Sequence, residues 1–301
     1  MSVGKAPRTA LVVGGDSAFG SVLSPQLRAR GWRVIETTRR GERDVAGRPL
    51  LDLSSDDLPR ALGAIVEELV DVAFLCAGVT KIAECRRDPE GTARINVEAI
   101  EAVSRALLSH GAFVIFPSVN HVFDGRRPFA KPHDPIAPPT EYGRQKAEAE
   151  RRLQATGDAV GIMRFSKVLA DSYSVLDSWI DAWRRGEPAQ PFADMVMSPV
   201  ARADACAAQV RLAELRIPGT YHVSGARDIS YADAARIGAE TLGVDPRLVQ
   251  PLKAGLSGVK LEHIPENTAL DCSTSTEHLG FVPPDPEPVL AEYFLTSLGE
   301  R

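Results

Sequence analysis

Tyr142 and Lys146 stand four residues apart in "EYGRQKAEAE". On a helix, residues at that spacing share a face, so a phenol and an ammonium converge on one point. A cation beside a phenol stabilises phenolate and lowers its pKa. Such a tyrosine can protonate a carbonyl oxygen while hydride reaches the carbon, and the lysine can also hold ribose hydroxyls. The same pair occurs on solvated helix faces, so its meaning depends on its surroundings.

Those surroundings begin at "VVGGDSAFG" (12–20). Gly14, Gly15 and Gly20 lie between an apolar run and an amphipathic one. Such a turn brings backbone N–H groups and a helix N-terminus close to a pyrophosphate. In the pattern G-x-x-G-x-x-G the outer places are Gly14 and Gly20, and Phe19 precedes the last. Ser17 holds the middle place, where its Cβ limits the approach of a phosphate. After the second apolar run, "IETTRR" has Thr38 where an acidic residue often holds the adenosine ribose. Arg39 and Arg40 follow, and Glu36 lies two residues too early. Two guanidiniums suit a 2′-phosphate, which favours NADP(H), with NAD(H) still compatible. Asp52 and Leu53 are candidates to hold the adenine. Cys76, Ala77 and Gly78 would let the backbone pass close to the cofactor.

The elements that must position these groups alternate. Strands are expected at 9–15, 32–38, 49–53, 71–78, 112–118 and 159–166. Helices are expected at 19–31, 56–70, 91–111 and 141–155. Apolar strands alternating with helices imply a parallel sheet covered on both faces, with ligands beyond the strands' carboxyl ends. Residues 125–141 read as a loop. Later, 174–186, 201–215 and 230–243 suggest helices and 219–225 a strand. The expected division is a dinucleotide-binding domain over 1–165 and a smaller substrate region over 166–301, interleaved with the first.

The bulk numbers fit a globular protein: 301 residues, 44 % apolar and 25 % charged. A net charge of -5 argues against nucleic acid as the main partner. No stretch has the apolar length needed to cross a bilayer, and the N-terminus lacks a signal-peptide layout. Cys76, Cys85, Cys206 and Cys272 show no metal-ligand spacing and read as reduced thiols, which implies a cytoplasmic protein without a metal.

Together, "GGDSAFG", "TTRR", "CAG", "INVEA", "PSVNHVFDG" and "YGRQK" resemble the extended short-chain dehydrogenase/reductases. "VFDG" followed by "YGRQKAEAE" resembles most the dTDP-4-dehydrorhamnose reductase branch, which also includes the regulatory β subunit of methionine adenosyltransferase. The likeness continues through "GIMRFSKVL", "SPVARADACA", "GTYHVSG" and "TALDCS". It implies a Rossmann-type doubly wound domain, a smaller C-terminal α/β substrate domain and a Ser/Thr–Tyr–Lys catalytic set. It matches Asn96 to an asparagine that supports the active site, and it makes a homodimer an expectation.

The family's hydroxyl lies four residues before the aromatic of "VFDG". Here that residue is Val119, and Ser118 is one residue early. Adjacent strand side chains face opposite ways, so Ser118 completes the set only if a bulge re-aims it. Asn120 and His121 are unusual neighbours, and His121, Lys167 and Arg202 are candidate substrate contacts. The main expectation is an NADPH-dependent reductase of a keto group on a nucleotide-activated deoxysugar. Two alternatives stay open: a non-catalytic NADP-binding regulatory protein, and an epimerase or dehydratase that recycles its cofactor.

Overall fold

Every residue of β1 (Thr9–Val13) is buried, as a strand covered on both faces requires. The structure is a computed structural model and describes residues 7–40, 48–259 and 261–299. After β1 come α1 (Gly20–Ala29), β2 (Arg33–Glu36), α2 (Leu58–Val66), β3 (Val72–Leu75), α3 (Ile82–Arg87) and α4 (Pro89–Ala93). The chain continues through α5 (Ile100–Ser109), β4 (Phe113–Val119), α6 (Glu141–Thr156) and β5 (Val160–Phe165). Then follow β6 (Lys167–Leu169), α7 (Ser174–Arg184), β7 (Val196–Met197), β8 (Pro199–Ala201), α8 (Arg202–Leu215) and β9 (Gly219–Val223). The last elements are β10 (Ile229–Ser230), α9 (Tyr231–Thr241), α10 (Ser273–Leu279) and α11 (Pro286–Gly299).

The main sheet is parallel and six-stranded, in the order β2-β1-β3-β4-β5-β9, which makes the fold Rossmann-like and doubly wound. β1 pairs with β2 on one side (Val12 opposite Glu36) and β3 on the other (Val13 opposite Leu75). Strand order therefore reverses at β1, and the loops after β1, β2 and β3 converge at the switch point where such sheets bind ligands.

Two sequence expectations need correction. Residues 49–53 form no strand; Thr38 and Leu50 make only an isolated bridge. Leu51 and Leu53 are apolar because they belong to the core, and periodicity alone does not separate the two cases. Residues 91–111 are not one α-helix either. A π-helical turn, Arg94–Ala99, separates α4 from α5, and it carries Asn96. Such turns often mark functional positions.

The chain divides into two units. The first comprises Met1–Val122, Ile136–Arg164 and Cys206–Tyr221, and the second Phe123–Pro135, Phe165–Ala205 and His222–Arg301. The first unit's core joins Leu11, Val13, Leu75, Val103, Val114 and Leu153. The second packs Trp179 and Trp183 of α7 with Ala235 of α9 and Leu290 and Phe294 of α11. No described helix is long and apolar enough to cross a membrane.

Candidate active site

The glycine turn follows β1. A Cβ at Gly20 would lie 2.3 Å from Gly14 O, so glycine is what allows the turn to close. Gly14 N donates to Thr37 Oγ1 (3.1 Å) and Gly15 N to Thr37 O (2.9 Å), which fasten the turn to the end of β2. The Ser17 hydroxyl folds back and accepts from Gly20 N at the start of α1 (3.0 Å). Phe19 is half-buried beside it. A tight turn at a helix N-terminus over a switch point fits the pyrophosphate of a nicotinamide dinucleotide.

Thr38 is buried beyond β2, and Arg39 and Arg40 are exposed next to it. Glu36, two residues before Thr38, is the last residue of β2. Burial alone would raise its carboxyl, but Arg28 (2.8 Å), Ser24 and Arg48 (3.1 Å) together hold it below its ordinary range. Asp52 accepts from the backbone and hydroxyl of Ser54 (2.9 and 2.7 Å) and so closes its own turn. Leu53 belongs to the core.

Beyond β3, Cys76 and Ala77 are half-buried and Gly78 is exposed. Asn96 holds this loop from the π turn. Its Oδ1 accepts from Val79 N (2.8 Å), and its Nδ2 donates to Val79 O (2.9 Å) and Gln145 Oε1 (2.8 Å). Asn96 is thus a positioning residue that ties the loop after β3 to α6.

Helix α6 begins at Thr140, whose hydroxyl accepts from Gly143 N (3.1 Å). A Cβ at Gly143 would lie 2.2 Å from His121 O. Glycine here lets the short 3-10 turn Asn120–Val122 pack against α6. That contact sets the His121 ring 6.4 Å from the Tyr142 ring, centroid to centroid. Tyr142 and Lys146 are both buried. Lys146 Nζ donates to Pro117 O (2.8 Å) and lies 4.4 Å from the centre of the Phe116 ring. Burial lowers the Lys146 ammonium to about 8, against the opposing pull of Glu150. The expected lowering of Tyr142 is reversed: burial pushes its phenol up, with a smaller push from Cys85. An aromatic acid in an apolar site keeps its proton.

The structure also corrects the placement of Ser118. It is buried near the end of β4, and its hydroxyl donates to Glu150 Oε1. Glu150 is in turn gripped by Arg164 through Nε (3.1 Å) and Nη2 (2.6 Å). Ser118 is therefore part of a buried ion-pair network rather than a donor beside Tyr142. Val119, the last residue of β4, is half-buried. Glu150 and Arg164 escaped the sequence reading. Glu150 lies eight residues after Tyr142 on a helix rich in exposed charges, so nothing local marks it as buried.

In the second unit, Lys167 Nζ is 3.2 Å from the Tyr173 hydroxyl and 4.4 Å above that ring. Arg202 pairs with Asp171, and its Nε is buried with no hydrogen-bond partner among the described residues. No cluster of three or more metal-ligating side chains occurs among the described residues.

The family described as the RmlD substrate binding domain matches residues 8–297. Methionine adenosyltransferase 2 subunit beta of Pongo abelii is 22 % identical over 284 residues, covering 88 % of this chain and 81 % of the relative. The crystal structure of dTDP-4-dehydrorhamnose reductase from Bacillus anthracis in complex with NADP superposes with a TM-score of 0.83 at 20 % identity, covering 97 % and 99 % of the two chains. That of dTDP-glucose 4,6-dehydratase from Streptomyces venezuelae with NAD bound gives 0.78 at 18 % identity, covering 97 % and 98 %.

Proposed function

The chain belongs to the RmlD substrate binding domain family, and on that premise we propose that it is an NADPH-dependent reductase of a keto group on a nucleotide-activated deoxysugar. The observation that carries this reading is the burial of Tyr142 and Lys146 one helical turn apart on α6, in the unit that holds the glycine turn. The reductase name and bound NADP of the similar Bacillus anthracis structure support it. Arg39 and Arg40 beside Thr38 support NADP(H) as the preferred cofactor, with NAD(H) compatible. Four scattered cysteines, without metal-ligand or disulfide-framework spacing in sequence, support a reducing compartment, the cytoplasm.

When bound, the reduced nicotinamide supplies the hydride. Tyr142, kept protonated by burial, gives its proton to the carbonyl oxygen, so ketone becomes alcohol. Lys146 is cationic at neutral pH, fixed through Pro117 O, with N–H groups left for ribose hydroxyls. Asn96 holds the loop after β3 in place. Val119 leaves Tyr142 without the usual hydroxyl neighbour from β4, and His121 is the candidate second donor.

The test is NADPH oxidation in the presence of a dTDP-4-keto-6-deoxyhexose, wild type against Tyr142→Phe. Val119 favours a second reading, cofactor binding without turnover. Tight NADPH binding with no consumption on any keto sugar would select it.

A further inference from the structure

The glycine turn carries an acid, Asp16, whose partners lie at the end of β2. Thr38 Oγ1 donates to Asp16 Oδ2 at 2.7 Å. Arg48 Nη1 donates to Asp16 Oδ1 at 3.0 Å, and Arg40 Nε lies 3.7 Å from Oδ2. Arg48 reaches Glu36 with its other nitrogen (3.1 Å), and Thr38 Oγ1 accepts from Arg40 N (3.1 Å). A doubly wound fold places the adenosine ribose beyond this strand end. Arg40 and Arg48 are thus already engaged by a carboxylate of the same chain.

We propose that Asp16 sets selectivity at the ribose 2′ position. This rests on the dinucleotide reading of the glycine turn. A 2′-phosphate arriving at this point competes with Asp16 for Arg40 and Arg48, and it meets the carboxylate's like charge. A 2′-hydroxyl meets an acceptor instead. Asp16 therefore narrows the advantage that the arginines give to NADP(H) and keeps NAD(H) within reach. An amide at position 16 keeps the shape and an acceptor for Thr38 but removes the charge. Arg48 then keeps Glu36, and Arg40 is released to the phosphate.

The experiment is equilibrium titration of the full chain with NADPH and with NADH, followed by fluorescence. 2′,5′-ADP and 5′-AMP serve as fragments lacking the nicotinamide. Wild type is compared with Asp16→Asn and, as a second neutral variant, Asp16→Ser. Thermal unfolding checks that each is folded. The expected result is a rise of about tenfold in the NADPH-to-NADH affinity ratio, the scale of removing one nearby like charge. The fragment pair should shift in parallel. If both dinucleotides bind and the ratio is the same in wild type and a folded neutral variant, this inference is overturned and the dinucleotide reading stands. If neither dinucleotide binds the wild type, both fall.

Discussion

Ser118 and Val119 are adjacent on β4, yet they should respond in opposite ways to substitution. Ser118→Ala removes a hydroxyl that donates to buried Glu150, while Arg164 keeps its bonds to the carboxylate at 3.1 and 2.6 Å. A hydrogen bond to a charged group contributes about 2 kcal/mol. The expected loss of stability is that size, since Glu150 keeps its principal partner. The rate of keto-sugar reduction should change less than about threefold, because Ser118 is not beside the reacting carbonyl in this account. Val119→Thr is the converse. It keeps the branched shape and adds a donor on the strand's other face. A donor aimed at a developing oxyanion is worth on the order of 100-fold in rate, so a gain of about tenfold or more is expected. Denaturant unfolding and steady-state NADPH consumption measure both effects. A Ser118→Ala protein of normal stability with a rate down by about 100-fold would show that the hydroxyl serves the carbonyl, and the network argument would fail.

Lys146 gives a pH signature. Its folded pKa of about 8 lies below its ordinary 10.5, so between these values the unfolded chain binds more protons. Stability from this group therefore rises with pH across that window, by on the order of 3 kcal/mol. Tyr142, pushed up by burial, slopes the other way, so the measurement is urea unfolding of wild type against Lys146→Met from pH 7.5 to 10.5. Wild type should gain on the variant as pH rises, and equal slopes would contradict the burial argument. Gly143→Ala should destabilise by about 2 kcal/mol or more, since its Cβ would lie 2.2 Å from a backbone oxygen of His121. A thermal midpoint equal to wild type would show that the 3-10 turn yields freely.

Much of the scaffold was legible because its signals are local. The apolar run of β1, the glycines after it and the four-residue spacing of Tyr142 and Lys146 all lie within a few positions. What was not legible depends on long-range pairing. Asp16 and Arg48 are 32 residues apart, and nothing between them in sequence predicts that they meet. Ser118 looked like a displaced catalytic hydroxyl because its partner, Glu150, lies 32 residues away on α6. The effect of Lys146 on Tyr142 was misjudged because spacing reports a shared face, while burial, set by the whole fold, decides the pKa. Residues 49–53 have a strand's composition but a core segment's role.

The most direct measurement is single-turnover NADPH oxidation with a dTDP-4-keto-6-deoxyhexose by wild type and Tyr142→Phe, with NADPH affinity determined in parallel. The account predicts turnover by the wild type and a loss of about 10² to 10⁴ in the variant, with NADPH affinity changed less than about threefold. Equal rates in the two proteins would contradict it.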